Sequence, residues 1–196
     1  MTDPRVIYGR ALAQTESTVA AVRPDQLGLP TPCTEWDVRT LMSHMVGGVI
    51  RVALVGEGAD ALDVPAFADG RKADWAAAYH AAGARAMAAW SDDAKLDAIF
   101  AVPWGKVPGR VALAGYVREV LAHGWDLAAA TSQRTELDPE LGAFALEVSH
   151  RSLPESGREG IPFGPVAPAP AGAGVYAQLA AWLGRTPDPL AAVDGE

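Results

Sequence analysis

The chain has 196 residues, 49% of them apolar, one cysteine and a formal charge of −8. That is enough apolar material for one compact domain without disulfide staples. The acidic balance argues against a nucleic-acid partner, which calls for a basic face, and no block of Lys/Arg is present to meet an anionic membrane.

The expected partner is a small molecule or a second copy of the chain, and a homodimer fits the alanine-rich helical surface. Lone Cys33 gives no intramolecular disulfide, and the polar start "MTDPRVIYGR" lacks the apolar stretch of a secretory signal. The expectation is a cytoplasmic protein.

In chain order, residues 4–23 place Val6, Ile7, Leu12, Val19 and Val22 at helical spacing. "RPDQLGLPTPC" (23–33) is a loop by its prolines and glycine. A second helix is expected over about 36–55, opened by Thr34 and Asp37 in a pattern resembling a capping box. Its Gly47-Gly48 pair suggests close approach of a neighbouring backbone. The apolar run 45–56 is short and interrupted by Arg51, so no membrane span is expected.

After the loop 64–70 comes a third helix over about 72–91. "LDAIFAVPWGKVPG" (96–109) reads as an irregular crossover with a short extended piece. A fourth helix is expected over about 111–131 and a fifth over 138–152. The Pro/Gly/Ala linker 162–174 then leads to a short helix at 175–185. This gives an all-α chain: a helical bundle over 1–152, and over 153–196 a proline-rich linker and short helix packed on it.

Glu119 and His123 stand four residues apart, one above the other on a helix face. His44 sits among Leu41, Met42, Met45 and Val46, on or near the buried stripe of the second helix. Facing helices of a bundle are a known way to hold a metal, and two imidazoles with one carboxylate match several catalytic zinc sites. The same residues also admit a plainer account. Glu119 then pairs with Arg118, Arg110 or solvent, and His44 is a core histidine bonded to a carbonyl.

The segment "LPTPCTEWDVRTLMSHMVGG" (29–48) closely resembles the first signature of the DinB-like, mycothiol-dependent maleylpyruvate isomerase superfamily. "REVLAHGWDLAAATSQ" (118–133) is similar to its second. "PFGPVAPAP" and "WLGRTPDP" resemble an actinobacterial branch described only as metal-binding. The resemblance implies a DinB-like four-helix bundle with a metal held by His44, Glu119 and His123. Zinc is the expected ion, while nickel and iron suit the same donors.

It also implies a low-molecular-weight thiol such as mycothiol, activated at the metal to attack a small-molecule electrophile by S-transfer or cis–trans isomerisation. The tail beyond about residue 152 looks unlike the larger C-terminal domain of the isomerase, so maleylpyruvate is not carried over as substrate. The alternatives are a metal-dependent hydrolase and a non-catalytic metal or ligand-binding protein.

Around this set, Cys33 reads as a small buried hydrophobe or a group approaching the metal. Trp36 is a packing residue. Asp126 either orients a liganding imidazole, or caps or pairs with an arginine of the tail. His80 offers a fourth ligand, His150 favours the end of its helix dipole, and Arg51 steers an anion or is simply solvated. No phosphate loop, Cys-x-x-Cys, His-Glu-x-x-His or Gly-x-Ser-x-Gly motif is present.

Overall fold

In the computed structural model the described residues are 3–69, 74–133 and 136–186. Helix α1 spans Pro4–Ala20, started by Pro4 and by Asp3, whose carboxylate accepts from Arg5 N at 2.9 Å. Ile7, Leu12 and Val19 are buried as their spacing predicts, but Val6 is 55% exposed, turned off the stripe by its position next to Ile7.

Helix α2 spans Val38–Gly56. Its cap is Asp37, which accepts from Thr40 N at 2.8 Å, not Thr34. Trp36 N donates to the Cys33 carbonyl at 2.7 Å, so the chain is still turning at 33–36 and the helix begins later than the sequence pattern suggests. By length and composition α2 could cross a membrane. Here it is a core helix, burying Leu41, Met42, Met45, Val46, Val49 and Val52.

The two glycines of α2 differ. A Cβ on Gly47 would lie 2.7 Å from the Ala66 carbonyl oxygen, whereas one on Gly48 meets nothing within 4 Å. Gly47 therefore lets the 64–69 loop cross directly over α2. Ser43 fastens that loop, accepting from Ala68 N at 3.0 Å and donating its hydroxyl to the Ala68 carbonyl at 2.7 Å.

Helix α3 spans Trp75–Ala89 and is capped by Asp74; the first two residues of the expected helix, 72–73, lie outside the described residues. The segment expected to be an irregular crossover is a hairpin. Strands β1 (Ile99–Val102) and β2 (Gly105–Pro108) pair antiparallel in the register Ile99↔Pro108 to Val102↔Gly105. Gly105, at φ +133°, closes the turn.

Helix α4 (Gly109–Ala130) is the central element, buried over most of its circumference. Helix α5 (Pro139–Ser152) starts at Asp138, and α6 (Val175–Trp182) follows the linker. In the bundle α2 packs on α3, α1 on α4, and the α1–α3 and α2–α4 contacts close the ring. Helix α6 lies on α5 and α4, burying Tyr176 and Leu179. The fold is the expected DinB-like helical bundle, with a hairpin before its last long helix.

Candidate metal centre

His44 comes from α2, and Glu119 and His123 from one face of α4. The seam between these helices brings all three together, with one donor atom of each within 4.8 Å of the others. The His44 and His123 rings meet edge to face at 4.9 Å. His123 Nε2 lies 3.6 Å from Glu119 Oε2, too long for a hydrogen bond. In a tetrahedral zinc site, ligand atoms at 2.0–2.1 Å from the ion stand about 3.3 Å apart. These two side chains are already near that spacing.

The other nitrogen of His123 is fully engaged. Nδ1 is 3.1 Å from Asp126 Oδ2, an ionised acceptor with no proton to give, so Nδ1 carries the hydrogen and donates. Asp126 is itself completely buried and is gripped by Arg185 from the tail: Nε to Oδ1 at 3.1 Å, Nη2 to Oδ2 at 2.9 Å. Cys33 Sγ donates to Asp126 Oδ2 at 3.2 Å and lies 3.4 Å from Arg185 Nη2. Both sequence readings of Asp126 therefore hold at once: it fixes an imidazole and pairs with a tail arginine. Cys33 belongs to this support, and its sulfur is 3.8 Å from His123 Nδ1.

Glu119 divides its oxygens. Oε1 accepts from Arg118 Nη2 at 3.2 Å while Oε2 faces His123. The pairing with Arg118 and the approach to His123 coexist. Arg118 is 5% exposed, bonded to Ser152 Oγ at 2.9 Å and set 5.0 Å from the Phe163 ring centroid. Trp36 lies 4.7 Å from His44 and 5.9 Å from His123, and Phe67 lies 5.3 Å from His44. Trp36 is thus more than a packing residue: with Phe67 it walls the two imidazoles.

Burial first, then the charge of His123, lowers the His44 pKa to about 4, against the pull of Glu119. Burial pushes the Glu119 carboxyl up, but the His123 ring and the charges of Arg118 and His44 outweigh it and hold it well below the carboxylate range. Burial opposes a charge on His123 too, yet the Asp126 and Cys33 contacts raise it well above the usual imidazole value. Asp126 stays ionised, lowered to about 2 because the His123 bond and Arg185 overcome its burial.

One candidate ligand falls away. His80 is on the surface, its side chain 69% exposed and its Nδ1 2.9 Å from Glu16, so it supplies no fourth ligand. His150 lies in the last turn of α5, where the dipole favours it, and packs edge-on against Trp182 at 4.2 Å. The residues that sequence reasoning missed are Phe67, Phe163 and Arg185. Phe163 and Arg185 lie in the stretches "PFGPVAPAP" and "WLGRTPDP" without a role attached, and Arg185 is otherwise foreshadowed only as an unspecified tail partner for Asp126.

A DinB-like bundle that converges two imidazoles and a carboxylate across one helix seam defines the class. The chain belongs to the family of the mycothiol maleylpyruvate isomerase N-terminal domain, whose model matches residues 8–128. Two uncharacterized proteins of Mycobacterium tuberculosis, from strains H37Rv and CDC 1551 / Oshkosh, are each 40% identical over 185 residues, covering 94% of this chain and 98% of theirs.

Among solved structures, the mycothiol-dependent maleylpyruvate isomerase superposes with a TM-score of 0.58 at 16% identity. A histidine-to-alanine variant of that enzyme gives 0.59 at 14%. Each match covers 74% of this chain and 66% of the isomerase. The chain spans just under two thirds of that enzyme, and the likeness is one of fold.

Proposed function

We propose that this protein holds a divalent metal, with zinc the expected ion, at His44, Glu119 and His123, and uses it for thiol-dependent transfer or isomerisation on a small electrophile. The observation that carries the reading is the convergence of the three donors from α2 and α4. The His44 Nδ1 atom is buried and makes no hydrogen bond of good geometry, although the Ala66 backbone lies close enough to the ring to act on it. The set is open on one side, where the Glu119 side chain is 31% exposed. Three protein donors and an open side are the pattern of catalytic rather than structural zinc. Membership of a family named for a mycothiol enzyme supports a thiol as the second component.

A divalent ion held there supplies Lewis acidity, lowering the pKa of a thiol so that it is a thiolate near neutral pH. The chain's own residues do the rest. Asp126 holds a proton on His123 Nδ1 and so turns Nε2 towards the centre, where a bound ion would take the place of the second proton that the raised pKa puts there. Arg118 offsets part of the Glu119 charge and keeps the carboxylate from swinging away. Trp36 and Phe67 form an apolar rim beside His44, with Phe67 43% exposed at its outer edge.

The test is metal content after purification without added metal and with any histidine tag removed, comparing the parent with His44→Ala and Glu119→Ala. Near-stoichiometric zinc that both variants lose supports the centre. Zinc-loaded protein is then screened with thiols and electrophiles. Turnover that persists without thiol replaces this reading with hydrolysis. No metal bound, and none taken up from zinc, nickel or iron, overturns it.

A further inference from the structure

Arg51 stands two turns beyond His44 on the same face of α2, with Gly48 between them, and Tyr116 stands one turn before Glu119 on α4. The two residues flank the seam on which the centre lies. Arg51 is not a solvated arginine. It is half-buried, its Nη2 donates to the Val64 carbonyl at 2.7 Å, and its Nε is buried without a partner.

Tyr116 is 5% exposed and its Oη is likewise buried and unpartnered. Burial above all lifts the pKa of this hydroxyl, with Arg51 pulling it down and Glu119 pushing it up, so both charges act on it. The Tyr8 hydroxyl from α1, also buried and unpartnered, is in turn influenced by Tyr116.

A guanidinium nitrogen and a phenol that leave hydrogen bonds unmade inside a packed bundle are donors lacking an acceptor. Among the described residues the chain supplies none. One acceptor that answers both carries a negative charge on two oxygens, as a carboxylate does. The seam is open beside Arg51, where the Cβ position of Gly48 meets nothing within 4 Å, and at Glu119, which is partly exposed. Both orphan atoms are themselves closed to solvent, so a carboxylate reaches them by displacing the half-buried Arg51 side chain.

We propose that Arg51 and Tyr116 form a carboxylate-binding subsite on the α2–α4 seam beside the His44–Glu119–His123 centre, and that the small molecule handled there is a carboxylic acid. The proposal builds on the reading of the centre but uses different atoms. The Glu119 charge opposes an anion here, so affinity rises when a cation at the centre, or Glu119→Gln, offsets it.

The probe is succinate, titrated calorimetrically into zinc-loaded protein and into metal-free Glu119→Gln protein. Both bind it. Arg51→Met weakens binding about tenfold or more in each, as loss of a charge-assisted bond should. Arg51→Lys restores part of the loss. Tyr116→Phe weakens binding several-fold without lowering Tm, because the hydroxyl it removes has no partner in the ligand-free protein.

Succinate binding within about twofold of the parent in an Arg51→Met protein that keeps its circular dichroism and zinc content overturns the subsite. So does Tyr116→Phe that lowers Tm and leaves binding untouched. If the parent takes up no zinc but Glu119→Gln binds succinate through Arg51, the subsite stands and the metal reading falls. If zinc binds and succinate ignores Arg51, the outcome is reversed.

Discussion

The two sides of the His123 ring are built to different standards. On the Nδ1 side, Asp126 is fully buried, Arg185 meets it with two bonds, and the Cys33 thiol is a further donor to the same carboxylate. On the Nε2 side the approach to Glu119 is 3.6 Å, His44 Nδ1 makes no hydrogen bond of good geometry, and Glu119 is partly exposed. The closed side is complete without a ligand, while the open side leaves donors near one another with nothing between them. Rigidly held partners behind donors that still lack one of their own are what a binding centre requires.

The largest effects should come from breaking the closed side. Asp126→Asn leaves Arg185 buried without its counter-charge, and Arg185→Met leaves Asp126 so. Each should cost about 3–5 kcal/mol of stability. In protein that still folds, each should also lower zinc affinity by roughly 10–100-fold, since the imidazole loses its fixed orientation. Chemical denaturation and chelator competition check the two numbers. Normal zinc affinity in folded Asp126→Asn would mean that the closed side does not support the open one.

A smaller effect separates the sides by pH. Metal-free unfolded protein binds a proton at His44 at the ordinary value of 6.5, but folded protein only near 4. Between those values the unfolded chain holds more protons, so acid destabilises the fold through this residue. Asp126, lowered to about 2, stays ionised throughout that window. The expected outcome is a steeper loss of stability from pH 6.5 to 4 in the parent than in His44→Gln, read from denaturation midpoints. Parallel curves would show that His44 is not held neutral.

The sequence made the open side legible and hid most of the closed one, for a physical reason. Glu119 and His123 meet through helix geometry, and His44 lies in an apolar helix whose stripe must face inward, so spacing makes the set possible, while the resemblance of 29–48 and 118–133 to the two signatures singles it out over the plainer account. Arg185 reaches Asp126 across 59 residues, through a linker whose path no local pattern fixes. Phe67 reaches His44 only because Gly47 and Ser43 pin its loop onto α2. The glycine pair announced a close approach without saying which residue would make it. The hairpin was obscured because its prolines and glycines are also the marks of irregular chain. Asp37 capped α2 where Thr34 was expected because the turn at 33–36 delays the helix.

His123 is shared by both sides, and Cys33, His123 and Asp126 also bring donor atoms within 4.8 Å of one another. The central claim is that a metal takes the Nε2 side, the other being closed by Arg185. X-ray absorption at the zinc edge of the loaded protein tests this most directly, with Cys33→Ala beside it. The expected result is nitrogen and oxygen neighbours at about 2.0–2.1 Å, unchanged in Cys33→Ala. A sulfur scatterer at about 2.3 Å that disappears in Cys33→Ala would contradict it and move the metal to the other face of the ring.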